Sequence, residues 1–342
     1  MSQKTRQTIR IAGLIIFLFI GIKILTPHIK AIPESINAIK GLDYGMLFLA
    51  ILFEFLRFVF SGYFLNTILG LYEDHVPIGQ AIMIVLGSAS FGMVAGGMVG
   101  SAAASMQWLR KRNAKTQAAS MAGFLPIIFN NLAILILSLI GVIYLFGLDA
   151  LTSLQLKAFI IIFILLVGAL FLFYLFLRDK EKSKKFSLGL MTKISSLTKK
   201  NYDENKINDQ VDEIFMVRDK FFHKGWIKPV LGTIFTYTSD ILALFFLFLA
   251  AGQTISPQIL LIGYGLPQLL GKATFVLPGG IGVVETAMIS LYEQLGIANP
   301  IAVIVVIAFR FLSFIVPTIL GFIFVFVLQE YSKHKQQSQI VN

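Results

Sequence analysis

The sequence predicts an all-α polytopic membrane protein, with about six full transmembrane helices plus two re-entrant helical hairpins arranged as an inverted repeat. Three observations predict it. Of 342 residues, 56% are hydrophobic and 14% charged, with a mean hydropathy of +0.80, more apolar surface than a water-soluble domain of this size has use for. Several apolar runs approach or exceed the roughly 20 residues that cross a bilayer. Two stretches rich in glycine and small residues, around 92–105 and 277–285, interrupt those runs in corresponding positions of two halves. Irregular backbone is tolerated at membrane depth only where protein or a wet cavity surrounds it. With no cysteine, disulfides, thiolate chemistry and cysteine-ligated metals are excluded. The net charge of +11 sits beside apolar runs, which fits membrane orientation and anionic headgroups better than nucleic acid.

Lys4, Arg6 and Arg10 precede an apolar run at 11–25, and no small-x-small cleavage site follows. The expectation is an uncleaved first helix with its N-terminus inside and an outside loop over 27–43. The second helix, 44–70, carries Glu54 and Arg57 near its middle. At a spacing of three they share a face and can pair. Either they form a structural ion pair or, as charges deep in a span do by default, they mark a substrate path. Residues 78–106 are rich in glycine and small residues, and Gly92, Gly96 and Gly100 form overlapping GxxxG steps. Close packing alone explains such steps. The basic run Arg110-Lys111-Arg112 should be cytoplasmic, so this stretch enters and returns on one side. Its length of about 29 residues is too short for two crossings, which predicts a re-entrant hairpin. A helix over 118–146 then leads outward, carrying Pro126, Asn130 and Asn131, and 156–177 returns.

Residues 178–228 are the long polar stretch, expected as a cytoplasmic linker with one or two surface helices and an aromatic, basic end at the interface. The helix at 229–251 carries Asp240, with Tyr237 one turn earlier. Residues 257–296 contain Lys272 and the run Leu277-Pro-Gly-Gly-Ile-Gly-Val-Val-Glu285. The last helix, 300–328, carries Arg310 and Pro317 and ends before Lys333-His334-Lys335, which places the C-terminus inside. Residues 44–146 thus form a first repeat and 229–328 a second one of opposite orientation, within a single integral membrane domain. Inverted repeats with broken helices at the midplane are a hallmark of alternating-access transporters. On this reading Glu285 looks across a cavity toward Arg310 and the Glu54/Arg57 helix.

Other chemistries fit poorly. Gly265-Leu-Pro-Gln-Leu-Leu-Gly271-Lys272 approaches a P-loop but has one residue too many between its glycines and Ala273 where Ser or Thr belongs. The four histidines are far apart in sequence, with no metal-ligand spacing. No cofactor is expected.

The run Leu277–Glu285, a helix opening near Pro300, Arg310 and Pro317-Thr-Ile-Leu-Gly321 together resemble the lysylphosphatidylglycerol synthase transmembrane (flippase-like) family, over about residues 8–330. That family includes the N-terminal membrane half of the multiple peptide resistance factor. The N-terminal hairpin, Gly96-Gly-Met-Val-Gly100, departs more from the family pattern. The resemblance implies a cell-membrane lipid translocase, associated with moving aminoacylated phosphatidylglycerol between leaflets, and a role in antimicrobial peptide resistance. The soluble synthase domain of full-length members has no counterpart in this sequence, so a lysyltransferase is not expected.

The leading expectation is a flippase or scramblase-like translocator for a phospholipid or glycolipid with a polar or charged headgroup. Arg310 and Lys272, with Arg57 where Glu54 leaves it available, are the candidates for a lipid phosphate. Glu285, Asp240 and Glu54 would balance those charges or receive a cationic headgroup. Asn130, Asn131, Gly279, Gly280 and Gly282 complete the expected substrate-binding set. The alternatives are a proton-coupled transporter of a small solute and an auxiliary membrane subunit that recruits a separate lipid-modifying enzyme through 178–228. An oligomer is compatible with either.

Overall fold

A computed structural model describes residues 41–95, 97–146, 153–198, 203–273 and 278–340. The expected first helix at 11–25 lies outside these residues. Helix α1 spans Tyr44–Gly70. It begins where the Asp43 carboxylate accepts the N–H groups of Gly45, at 2.8 Å, and Met46, at 3.2 Å, which supplies two orphan donors with a partner. Helices α2 (Ile78–Val94) and α3 (Gly97–Lys111) follow, then α4 (Thr116–Phe146) and α5 (Ser153–Arg178). The polar stretch is two helices, α6 (Lys180–Thr198) and α7 (Glu204–Lys224). They are joined by Lys180 and Lys184, whose ammonium groups lie 2.8 and 2.7 Å from the Asp212 carboxylate.

The second half repeats the order of long, short, short, long. Helix α8 (Ile227–Ala250) leads to α9 (Pro257–Ala273), a 3-10 turn at Pro278–Gly280 and α10 (Val283–Gln294). Helix α11 (Asn299–Arg310) then runs through a π-helical turn, Phe311–Ile315, into α12 (Val316–Ile340). Among the described residues, Tyr44–Gly70, Thr116–Leu145, Ile227–Ala250 and Asn299–Gln329 are long and apolar enough to cross a membrane. Helices α2, α3, α9 and α10 have 17, 15, 17 and 12 residues, short of the roughly 20 that a crossing needs. The chain is an all-α polytopic membrane protein.

Packing links the halves by a consistent exchange. The start of α1 meets the end of α8, where Asp43 N–H donates to the Ala250 carbonyl at 2.9 Å. Phe53 stacks on Phe246 and Phe60 on Phe235, so α1 and α8 run antiparallel. Helix α2 packs against α12, where Ser90 Oγ donates to the Thr318 carbonyl at 3.1 Å. Helix α9 packs against α4, where Ser138 Oγ donates to the Gly265 carbonyl at 2.9 Å. The first short helix of each half therefore lies on the last long helix of the other. Two large apolar cores result, one around Leu65, Ile84, Trp108 and Leu109 that also takes in Val325 and Leu328 of α12, the other around Leu244, Tyr264, Tyr292 and Phe309 that takes in Ala50 of α1. Large apolar side chains such as Phe55, Ile143, Leu172 and Phe326 face outward, as a lipid-facing surface requires.

Candidate functional site

Within this apolar frame the buried charges among the described residues form two clusters. The first lies where α1 crosses α8. Glu54 and Asp240 are only 3% and 6% exposed. Arg57 Nε donates to Glu54 Oε1 at 2.6 Å and lies 3.5 Å from Asp240 Oδ1. Tyr264 on α9 donates its hydroxyl to Asp240 Oδ2 at 2.5 Å. The i, i+3 spacing of Glu54 and Arg57 makes the local pair, and the antiparallel crossing brings in Asp240. One guanidinium serves two carboxylates.

The second cluster lies at the joint between α9 and α10. Glu285 is the third residue of α10, and its Oε2 accepts the Gly282 N–H at 2.5 Å. A carboxylate there also meets the positive end of the helix dipole. Its other oxygen, Oε1, accepts from Arg310 Nε at 2.6 Å, and Arg310 Nη2 donates to the Gly279 carbonyl at 2.9 Å. Gly279 holds φ at +64°, and a Cβ there would collide with the Phe314 ring. Only glycine fits both the conformation and the contact. The Phe314 ring in turn lies under the Arg310 guanidinium, 4.6 Å from its central carbon to the ring centroid.

The π-helical turn joins the two clusters. In an α-helix the Ser313 carbonyl would accept the N–H of residue 317, but residue 317 is proline and has none. That carbonyl instead accepts from Arg57 Nη2 at 3.0 Å. Arg310 leads into the turn, and Phe314, one residue after Ser313, packs on Gly279. Both arginines thus converge on one local irregularity, of a kind that is frequent at functional sites.

The expected site residues divide accordingly. Glu54, Arg57 and Asp240 come together, as do Gly279, Gly282, Glu285 and Arg310. Glu285 and Arg310 meet in direct contact, with no cavity between them. Both arginines are engaged by carboxylates, so neither is a ready-made phosphate receptor in this conformation. Gly280, at φ +65°, packs its backbone against Gly271, with no space for a Cβ. Asn130 receives the Tyr237 hydroxyl on its carbonyl at 3.2 Å. Asn131 Oδ1 is buried without a hydrogen-bond partner among the described residues. Lys272, at the end of α9, is half-buried with no ion pair among them. Sequence reasoning missed Tyr264, Ser313 and Phe314. Tyr264 looks like any aromatic core residue, whereas Pro317 is a visible sign that the Ser313 carbonyl lacks its helical donor.

The profile described as the lysylphosphatidylglycerol synthase TM region matches residues 10–321. The chain belongs to that family. Within the lysylphosphatidylglycerol synthase transmembrane family it is similar to the UPF0104 membrane protein MJ1595 of Methanocaldococcus jannaschii, at 31% identity over 154 residues. That match covers 43% of this chain and 46% of the relative, so about half the length of this archaeal protein is spanned. It is also similar to the UPF0104 membrane protein PH1989 of Pyrococcus horikoshii, at 25% identity over 310 residues, covering 86% of this chain and 90% of that one.

Proposed function

We propose that this protein is a lipid translocase of the cell membrane, multi-pass with both termini cytoplasmic, which carries a phospholipid or glycolipid with a polar or charged headgroup between leaflets. The observation that carries the reading is the pair of buried charge clusters joined through the Ser313 turn. Buried charge and broken helices at membrane depth are expensive, and they persist where they handle polar cargo. Charged and hydrogen-bonding side chains placed at membrane depth would lower the barrier to a headgroup that hydrocarbon otherwise excludes.

Residues 44–146 and 229–328 act, on this proposal, as inverted repeats, with α2/α3 and α9/α10 as re-entrant hairpins. The antiparallel crossing of α1 and α8 and the exchanged packing of α2 on α12 and α9 on α4 support it. Movement of α9/α10 away from α11 would break the Arg310 contacts to Glu285 and the Gly279 carbonyl. Arg310 would then be available to a lipid phosphate, with Lys272 on the same hairpin, while the freed Glu285 would receive a cationic headgroup. The functional assignment is transport; no lysyl transfer is proposed.

The test is reconstitution of the full chain in vesicles that carry fluorescent phosphatidylglycerol, aminoacylated phosphatidylglycerol or a glycolipid in the inner leaflet. Transfer of at least one of them to the outer leaflet, above protein-free vesicles, is the expected result. If none moves, the translocase reading fails. A substrate-dependent proton or sodium current without lipid movement would mark a transporter of small solutes.

A further inference from the structure

The Arg57 cluster has a charge count that the Arg310 cluster does not share. Glu285 and Arg310 pair one to one. Around Arg57 there are two carboxylates and one guanidinium, a net charge of −1 if both acids are ionised. The single Nε–H of Arg57 is directed at Glu54 Oε1. Glu54 Oε2 and Asp240 Oδ1 remain, both buried and both without a hydrogen-bond partner among the described residues. The two carboxyl groups meet at one guanidinium nitrogen, Arg57 Nε, which lies 2.6 Å from Glu54 Oε1 and 3.5 Å from Asp240 Oδ1. Two ionised acids gathered around one guanidinium repel, and each unmet buried acceptor has a desolvation cost. A carboxylic acid facing a carboxylate removes both problems, as in other acid pairs that share one proton.

Among the described residues, the neighbouring elements offer no other remedy. The ionisable groups that act on one another here are Glu54 and Arg57 on α1, Tyr237 and Asp240 on α8, and Tyr264 on α9. Tyr264 already donates to Asp240 Oδ2, and Tyr237 donates to α4. The turn at Phe311–Ile315 presents a carbonyl, which is an acceptor. Arg310 is committed to Glu285 and Gly279.

We propose that Glu54 and Asp240 form a proton-binding site that holds one proton between Glu54 Oε2 and Asp240 Oδ1. With the proton bound, the cluster of Glu54, Asp240 and Arg57 is neutral. On release, the proton passes to water or to a base in it, and the cluster is left at −1. Cycling between those charges changes how tightly α1 and α8 are held against α9 and the π-helical turn, which links proton movement to lipid movement. This linkage, unlike the proton itself, rests on the translocase reading.

Infrared spectroscopy of the full chain in vesicles at neutral pH tests the proton directly. The carbonyl stretch of one protonated carboxylic acid is expected, shifting in D2O. It should disappear in both Glu54→Gln and Asp240→Asn, because either change leaves the remaining carboxylate alone with Arg57, and it should persist in Glu285→Gln. The wild-type spectrum decides even if a variant does not fold: no protonated acid at neutral pH overturns the proposal. A band that survives Asp240→Asn overturns the shared proton, and one lost in Glu285→Gln alone places it elsewhere. In the vesicles used for lipid movement, an imposed pH gradient should change the wild-type rate several-fold. Lipid that moves at one rate regardless of the gradient overturns the linkage and leaves the translocase standing. No lipid movement with the band present overturns the translocase and leaves the proton site standing.

Discussion

Two arginines, each on a long helix of its own half, have been given different company. Arg310 has one carboxylate, a backbone carbonyl and an aromatic face. Arg57 has two carboxylates, a carbonyl from the other half and an aromatic face of its own, the Phe58 ring. The first arrangement is balanced and local, a latch that holds a helix N-terminus to α11. The second is unbalanced and bridges α1, α8 and the π-helical turn. Similar residue types thus support a mechanical role in one place and an exchangeable charge in the other, and the number of carboxylates per guanidinium makes the difference.

The sharpest way to break the comparison is to remove each arginine. Arg57→Ala takes the cation from the Glu54/Asp240 acid pair, and Arg310→Ala takes it from Glu285. Losing a partner from a buried ion pair costs about 3–5 kcal/mol, and both variants should show it as a large fall in thermal stability in detergent. The N-terminus of α10 and the Gly282 N–H favour an ionised Glu285, and no helix N-terminus does so for the Glu54/Asp240 pair, so low pH should restore Arg57→Ala more than Arg310→Ala. Equal behaviour of the two across pH would remove the distinction. Next in size is Gly279→Ala, which places a Cβ in the Phe314 ring at a left-handed φ. Strain and overpacking of about 1–3 kcal/mol are expected, and Phe314→Leu in the same chain should recover part of it. A Gly279→Ala protein as stable as wild type would contradict the close fit at the latch.

Tyr264→Phe removes one donor from Asp240 and leaves Arg57 in place. A hydrogen bond to a charged group is worth about 1.5–3 kcal/mol, and the loss should fall on the Arg57 cluster alone. An unchanged melting temperature would show that Tyr264 does not support Asp240. The smallest effect is expected at α6/α7. Hydrogen bonds from Lys180, then Lys184, hold the exposed Asp212 carboxyl below its ordinary range. A lowered folded value means that this contribution is complete above the ordinary carboxylate range and is lost as pH falls through the lowered value. Asp212→Asn should therefore loosen α6 from α7 only slightly at neutral pH, and screening by salt should mimic it. Hydrogen exchange across Lys180–Thr198 measures it, and no difference at low salt would rule the bridge out as a contributor.

Much of this was legible in the sequence, for reasons that differ from residue to residue. Glu54 and Arg57 announce their pairing through helical spacing, and the long apolar runs announce the spans. The short helices follow from glycine and length. Asp240 was visible only as an isolated charge, because its partner comes from a helix about 180 residues earlier. Glu285 was visible as a charge in an apolar run, but its capping of α10 depends on where the helix starts. Lys272 is half-buried at the end of α9 and makes no ion pair among the described residues. The Ser313 carbonyl belongs to the backbone and leaves no side-chain signature; Pro317 is its only trace. Tyr264 had none.

Passage of lipid through these clusters is tested most directly by the translocation rate of Glu285→Gln in vesicles. The amide can keep the contact to Gly282 but cannot supply the charge that holds and releases Arg310. A folded Glu285→Gln protein that moves lipid at least about tenfold more slowly than wild type, equivalent to roughly 1.4 kcal/mol in the barrier, is the predicted result. Lipid movement at the wild-type rate would contradict the account.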